Sequence, residues 1–585
     1  MDEQQRKLAE ELLFSAPKAP SFGKRLYFGE LHNEHIFPFP QLSSDEQQQL
    51  DKWLADVEAF ASSEINGDKI DRQASIPDSV IAGLGKLGIL GMTIPTSYGG
   101  LGASQHTYCR VIEIISRYCG STALFVNAHQ SIGMKALLLF GTPEQKDKWL
   151  PPLARGELLA AFSLTEPNAG SDANGVETKA VFDREKKVWR INGRKQWTTN
   201  GAIAGILTVM AKVTVDTRDG PQERVTAFLV TPDMPGFKVL VPALEKVGMR
   251  GSKTANLQFI DLEVPAENVL GPIGGGLRVC LTALDYGRVT FGATCTGAAR
   301  YLVARAYEHA KNRYQFKRPL ASFALVKRKL ANMSALLYAM ESATYLTAGL
   351  IDSHVEDVML ESAMLKVFAS ESLWTILYDT MQIFGGRSFF TDEPFERMMR
   401  DARLNMIGEG SNEVLRAFIG VVGMRDLGMQ MQAGLFALQH PISQFHLLKE
   451  FGRHWLHRTS TPVVPVQSAE LQPQGQALGR AIRSFGFAVT KLLVRHREEI
   501  LEKQLLLDRI ANSAMAIYTA TAAISRLDSA LQQHGANSLQ KELATVKFYC
   551  SMAFATIRDN LNSLDGNLDD ETEALADLLL GVPAR

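Results

Sequence analysis

Cysteine is scarce and scattered: Cys109, Cys119, Cys280, Cys295 and Cys550 are the only five in 585 residues, and none stands in C-x-x-C spacing. That excludes a disulfide framework and a clustered zinc site, and it reads as reduced thiols in a cytosol-like compartment. An excess of charge of either sign is missing too. With 62 basic against 63 acidic side chains, a net −1, the chain has no electrostatic footprint for nucleic acid, so any anionic ligand must be met locally. No window approaches about 18 continuous apolar residues, which excludes a membrane-spanning helix. The opening MDEQQRKLAEELLFSAPKAP lacks the apolar stretch of a signal peptide and sets acids among its bases, unlike a transit peptide. The expected setting is the cytoplasm of a bacterium, peripheral contact with its inner membrane being one alternative, or a mitochondrion after loss of an import sequence.

What is present is a large globular chain, 46% apolar with 46 Gly and 23 Pro, suited to roughly three or four compact units. Residues 1–42 read as an N-terminal extension. Residues 43–159 read as a helical domain: SSDEQQQLDKWLADVEAFA opens on cap candidates and repeats apolar residues at Leu50, Trp53, Leu54, Val57 and Phe60. Gly83, Gly85 and Gly88 satisfy G-x-G-x-x-G, yet SIPDSVIA before them predicts a proline-initiated helix, not the strand that a dinucleotide motif requires. Residues 160–272 change to alternating β-branched segments such as VWRINGRKQWTTN and TANLQFIDLEVP and read as a β-domain. Residues 273–425 regain long helical periodicity and read as an antiparallel bundle. Residues 426–476 read as a linker with a membrane-facing segment, and 477–585 as a C-terminal helical domain. The fold class is therefore α+β, mostly α.

Glu409 stands out within MRDARLNMIGEGSNEV, residues Met399 to Val414. Gly408 and Gly410 leave the backbone bare on both sides, so a substrate can approach the carboxylate and its N–H without meeting a Cβ. This makes Glu409 the candidate catalytic base. A solvent-exposed Glu in a helix-connecting turn is the alternative on local sequence.

Together with that string, FSLTEPNAGSD (Phe162 to Asp172), NGRKQWTTNG (Asn192 to Gly201), VGMRGSKTANLQFIDLEVPAENVLG (Val247 to Gly271), NRYQFKRPL (Asn312 to Leu320) and QIFGG (Gln382 to Gly386) resemble the acyl-CoA dehydrogenase family. The FPFP segment near Ile36, AHQSIGMKALLLFGT from Ala128 and the extra C-terminal helices resemble its very-long-chain branch. The resemblance implies a helical–β–helical fold, with an extra C-terminal helical domain, that desaturates a fatty acyl-CoA between Cα and Cβ in β-oxidation and reduces flavin adenine dinucleotide (FAD). Such chemistry needs a base for a weakly acidic proton, hydrogen-bond donors at the thioester oxygen and a hydride acceptor opposite the base. Glu409 is implied as the base, with a pKa raised by an apolar pocket.

The rival base position of some relatives falls on Gly287 in LDYGR, which carries no carboxylate. Asp285 and Arg288 are then implied to line the acyl-CoA or base-loop side, a surface salt bridge being the alternative. The match carries Phe162, Leu164 and Thr165 over to the isoalloxazine, Trp197 and Thr199 to the ring wall, and Ser171 to the CoA phosphate or pantetheine arm. Arg313, Gln315 and Phe316 match the segment that family dimers send to the neighbouring subunit's flavin, with the guanidinium on the pyrophosphate. Gln382, Gly385 and Gly386 are implied at the adenosine end, Ser411 and Glu413 at the cofactor, and Gly408 and Gly410 beside the substrate. The implied partners are an electron-transfer flavoprotein and a second copy of the chain; no metal is expected.

Three departures stand against the pattern. Gly408 replaces an aromatic residue before the base, Lys317 replaces a Gly, and Ala123, Phe125 and Asn127 lie where very-long-chain relatives are richer in glycine. Bulk at the last three is expected to shorten the acyl pocket. The segment Gly428 to Arg458, with Lys449, Arg453, Arg458 and several His, is expected either to rest on an anionic membrane surface or to pack on the C-terminal domain. Two other functions stay open: an acyl-CoA oxidase, although GVPAR lacks a Ser-Lys-Leu address, and a scaffold that kept the fold without the chemistry.

Overall fold

The computed structural model describes residues 21–217, 220–439 and 460–582. Residues 41–411 form one compact unit; residues 21–40 together with the described part of 412–585 form another.

The first unit opens on helices. Ser43 starts Ser44–Glu64 with a reciprocal capping box to Glu46, which satisfies two otherwise orphaned backbone donors. The helix Asp78–Lys86 begins after Pro77 and contains Gly83 and Gly85, so the G-x-G-x-x-G match begins on a helix, with no strand before it among the described residues. Gln105–Tyr118 and Gly120–Asn127 lead into a π-helical turn, Ala128–Met134. That wide turn buries three polar side chains in succession, His129, Gln130 and Ser131. Ala160 N–H donates to His129 Nδ1 at 2.9 Å, so His129 carries its proton on Nε2, which faces Leu153 O at 3.3 Å. Burial holds this imidazole neutral, its pKa down to about 4.

His129 thereby fixes the start of the β-domain. Its strands are β1 Ala160–Ser163, β2 Lys179–Asp183, β3 Val188–Thr199, β4 Ile206–Thr217, β5 Gly220–Val230, β6 Phe237–Val241, β7 Thr254–Pro265 and β8 Val269–Leu270. They run in the order β6-β7-β3-β2-β4-β5-β8, with β1 parallel to β4 from Ala160↔Ile206 to Ser163↔Val209. The segments KAVFD and VL, not singled out by alternation, are strands through their pairing with β3 and β5. Inside, Ile191, Val209, Phe228, Leu257 and Val264 form one apolar layer.

Where β1 ends, the chain is held by a buried ion pair. Lys195 Nζ, on β3, donates to Leu164 O at 2.9 Å and to Glu166 Oε1 at 2.5 Å, with both charged side chains almost fully enclosed. Glu166 also accepts from Thr178 N, and Gln196 N donates to Thr165 O at 2.9 Å. The turn from Leu164 to Glu166 is therefore locked onto β3.

Beyond the β-domain, Gly276–Asn312 packs against Gln105–Tyr118, Ala324–Asp352 and Met359–Phe384. These helices are apolar over most of their surface because neighbours cover them on several sides. Phe395–Asn405 is the last helix of the unit.

In the second unit, Gln472–His496, Gln504–His534 and Gln540–Asn562 pack on one another. Tyr27 is fully buried there and donates to Ile419 O at 2.7 Å. The stretch read as linker is not solvated throughout. Val464 and Val466 are buried, Gln467 N and Ser468 N both donate to Asp528, and the helix opens at Gln472. Proline, glutamine and serine made this segment look like spacer, whereas its two valines and one distant carboxylate tie it down. Residues 440–459, most of the predicted membrane-facing segment, lie outside the described residues. No described helix is long and apolar enough to cross a membrane.

Lys195→Met strands a buried carboxylate at Glu166 and is expected to lower unfolding free energy by about 3–5 kcal/mol. Urea denaturation checks this, and pairing the change with Glu166→Gln should cost less than the sum of the two single changes.

Candidate active site

The helix Phe395–Asn405 ends in a tight turn, in which Ile407 N and Gly408 N both donate to Leu404 O at 2.9 and 2.8 Å. The chain then reverses through two left-handed residues, Glu409 at φ +56° and Gly410 at φ +98°. Glycine takes that conformation freely and glutamate does not. The turn directs the Glu409 side chain at Gly287 on the Gly276–Asn312 helix: a Cβ added to Gly287 would meet Glu409 Oε2 at 2.5 Å and Ile132 Cγ2 at 2.9 Å. The missing side chain is the space the carboxylate occupies.

Glu409 Oε2 is closed off from solvent and has no hydrogen-bond partner among the described residues. Burial raises its pKa to about 7, against the pull of Arg288 and Lys366. Asp285 and Arg288 are buried in a 3.0 Å ion pair, not at the surface. Arg288 Nε reaches toward Glu409 O at 3.5 Å, and Ser362 Oγ donates to Asp285 at 3.1 Å. The pair thus lies beside the Glu409 turn. Burial also raises Asp285, to about 6, against Arg288.

Lys366 escaped the sequence reading. It lies on Met359–Phe384 with 1% exposure and donates from Nζ to Gly410 O at 2.7 Å. Burial lowers its pKa to about 8, while Glu409 opposes the shift. The available signal was a lone lysine in the apolar run AMLKVFA. Below Gly287 the same helix presents Thr290 and Thr294. Thr290 Oγ1 donates to Ser131 Oγ at 3.1 Å, and Asn127 Nδ2 donates to Thr294 Oγ1 at 3.1 Å. Tyr108 OH completes the cluster, 3.2 Å from Asn127 Oδ1 and 3.1 Å from Ser131. Ala123, Phe125 and Asn127 are all buried.

The other predicted residues fall into separate groups. Phe162, Leu164 and Thr165 adjoin Trp197 and Thr199 through the β1–β3 lock described above. Trp197 is 61% exposed and has φ +58° at a β-bulge, so a strained backbone holds a large aromatic face open. Ser171 is exposed in the loop after β1. Arg313, Gln315 and Phe316 lie at the far end of Gly276–Asn312, roughly 40 Å from Gly287 along the axis at about 1.5 Å per residue. Phe316 and Lys317, at φ +53° and +63°, form the two-residue loop between the strand pair Tyr314–Gln315 and Arg318–Pro319. This loop asks for two left-handed residues, so the lysine in the place of glycine is strained but accommodated. Gln382 is exposed, and Cβ atoms added to Gly385 or Gly386 would meet nothing within 4 Å. Phe384 stacks on His309 at 4.1 Å, which sets this segment at the Arg313 end of the long helix. Ser411 closes the first unit, and Glu413 is exposed on Asn412–Gln439 in the second. A Cβ on Gly408 would meet nothing nearer than Leu404 at 3.5 Å. All five cysteines are buried and unpaired, and no metal-binding group occurs among the described residues.

Comparisons with known proteins bear on the whole chain. Residues 44–157, 161–262 and 274–423 match the N-terminal, middle and C-terminal domains of acyl-CoA dehydrogenase, and residues 469–577 match the "ACAD9/ACADV, C-terminal domain". The mitochondrial very long-chain specific acyl-CoA dehydrogenase of Bos taurus is 35% identical over 94% of this chain and 84% of its own. A solved acyl-CoA dehydrogenase from Bacillus anthracis, complexed with FAD, superposes with a TM-score of 0.77 at 28% identity, over 96% of this chain and 95% of that one. A chain of the solved "Electron transferring flavoprotein of Acidaminococcus fermentans" superposes with a TM-score of 0.60 at 33% identity, over 65% of this chain and 98% of its own. On these matches and the domain order, this chain belongs to the acyl-CoA dehydrogenase family.

Proposed function

We propose that this protein is an FAD-dependent dehydrogenase of fatty acyl-CoA, with Glu409 as the base that takes the Cα proton. The supporting observation is a carboxylate oxygen, Glu409 Oε2, that is enclosed, has no hydrogen-bond partner among the described residues and is aimed at Gly287, a helix position without a side chain. A base with a pKa near neutrality removes a weakly acidic proton more effectively than an ordinary glutamate. The Glu409 backbone N–H, exposed to substrate between two glycines, is the proposed donor to the thioester oxygen, where negative charge builds as the proton leaves. Exclusion of water strengthens that donation and keeps the carboxylate basic.

The residues present suit the cofactor. Trp197 offers an open aromatic face, Thr165 and Thr199 stand in the two backbone segments that meet next to it, Arg313 brings a guanidinium suited to pyrophosphate, and the open space at Gly385 and Gly386 allows close backbone approach. When bound, FAD supplies the two-electron acceptor. The proposed roles therefore stay as the resemblance assigned them: Phe162, Leu164, Thr165, Trp197 and Thr199 at the ring, Ser171 toward CoA, Gln382 with the two glycines toward the adenosine end, and Ser411 and Glu413 near the cofactor.

Arg313 and Glu409 serve different ends of one long helix, so a flavin touching both must draw on two chains. We therefore propose a homodimer, supported by Tyr314, Phe316, Phe389 and Phe390, which are 60%, 87%, 83% and 65% exposed; such a concentration of exposed aromatics marks an association surface. A long acyl substrate, transfer of electrons to an electron-transfer flavoprotein and a mitochondrial setting follow the names of the relatives and neighbours; a bacterial cytoplasmic setting rests on the sequence reading alone. Peripheral membrane contact rests on the composition of 428–458 alone.

Three outcomes are expected. Glu409→Gln keeps its flavin but is not bleached by acyl-CoA under anaerobic conditions, whereas the parent protein bleaches with a rate that rises through about pH 7 as the base ionises; bleaching by the variant would discard the base assignment. Gly287→Ala displaces Glu409 and slows bleaching by at least about tenfold, with near-parental flavin content by absorbance. Sedimentation equilibrium returns about twice the 64.4 kDa chain mass, and a monomer carrying full flavin would contradict the two-chain site. Electron transfer to a dye without oxygen uptake separates this enzyme from an oxidase.

A further inference from the structure

Two successive carbonyls in the Glu409 turn face buried cations from two different helices. Lys366 Nζ donates to Gly410 O at 2.7 Å, and Arg288 Nε approaches Glu409 O at 3.5 Å. Lys366 is 1% exposed in the middle of its helix, so its stem has little freedom and its ammonium is held in place. The turn needs such a hold. Glu409 keeps a left-handed conformation that an L side chain adopts only at a cost, and Gly408 and Gly410 on either side contribute no side-chain packing.

We propose that Lys366 is the positioning residue of this turn: by gripping the Gly410 carbonyl it keeps Glu409 left-handed and turned to Gly287, and its charge favours the ionised form of the carboxylate. The proposal rests on the reading of Glu409 as the base. The charged and titratable groups facing this pair are Asp285, Arg288 and Cys295 from Gly276–Asn312, Glu371 from Met359–Phe384, and Tyr108 from Gln105–Tyr118. Arg288 divides its charge between Asp285 and the turn. Burial drives Glu409 upward and the two cations restrain it; without Lys366, burial acts against one cation alone, so the carboxylate must become more basic.

The test uses the flavin-loaded enzyme with Lys366→Met, which removes donor and charge, and Lys366→Arg, which keeps both. Two readouts are taken against pH: the acid limb of acyl-CoA-driven bleaching, and the infrared carboxyl band that is absent from Glu409→Gln. In Lys366→Met both midpoints rise by about one pH unit, so bleaching is about fivefold slower at pH 7 and largely recovers near about pH 9. Lys366→Arg stays close to the parent in both. If Lys366→Met fails to retain flavin, Lys366→Gln, neutral with a donor, is expected to move the midpoints in the same direction. Unmoved midpoints, or a rate depressed equally at every pH, would overturn the proposal. An infrared midpoint that rises while the bleaching profile stays put would support the Lys366–Glu409 link and sink the base reading instead.

Discussion

A carboxylate removed from water must either protonate or be given compensating charge, and that constraint organises the centre of this protein. Glu409 lies between the two outcomes. Its enclosure raises the pKa to about 7, while Arg288 and Lys366 pull the other way. Full compensation by a close ion pair would leave a weak base with an ordinary or depressed pKa. No compensation would leave a neutral acid at physiological pH. The two cations instead address the carbonyls of the turn, close enough to favour the charge but without a direct salt bridge to Oε2, which has no hydrogen-bond partner.

The rest of the first unit serves to hold that arrangement. The long helix Gly276–Asn312 brings Gly287, Asp285 and Arg288 onto one turn, and Met359–Phe384 brings Lys366 and Ser362 against it. Across the β-domain the same economy recurs. A buried Lys195–Glu166 pair and the neutral His129 fix the strand end that carries Phe162 to Thr165. In both of these β-domain contacts a charged or polar group is buried against named partners, where its removal from water makes geometry specific.

How much of this was legible beforehand depended on whether a feature is local. The glycine-flanked Glu409, the alternating strands and the capped first helix are patterns within a few residues, and the six family strings marked the surrounding fold. Gly287 was noticed as an absent rival carboxylate; its steric role, as the gap into which Glu409 points, requires two segments more than a hundred residues apart. Lys366 was missed for the same reason, since a lysine inside an apolar helix carries no sign of the carbonyl it will meet. Residues 460–476 read as a solvated spacer because composition reports average polarity, while the burial of Val464 and Val466 and their neighbours' bonds to Asp528 depend on a partner distant in sequence.

The two glycines that flank Glu409 have different physical weight. Gly410 requires its glycine, given φ +98°. Gly408 does not: its φ is not left-handed and a Cβ would make only ordinary contact, so neither backbone nor packing explains a glycine where the resemblance leads one to expect an aromatic ring. Its effect is the space it leaves beside the turn. At the other side, Asn127 fills volume and is bonded to Tyr108 and Thr294, which makes it costly to move aside. Space is thus left beside the turn, while the Gly287 helix face beyond it is filled by a bonded polar cluster that resists displacement.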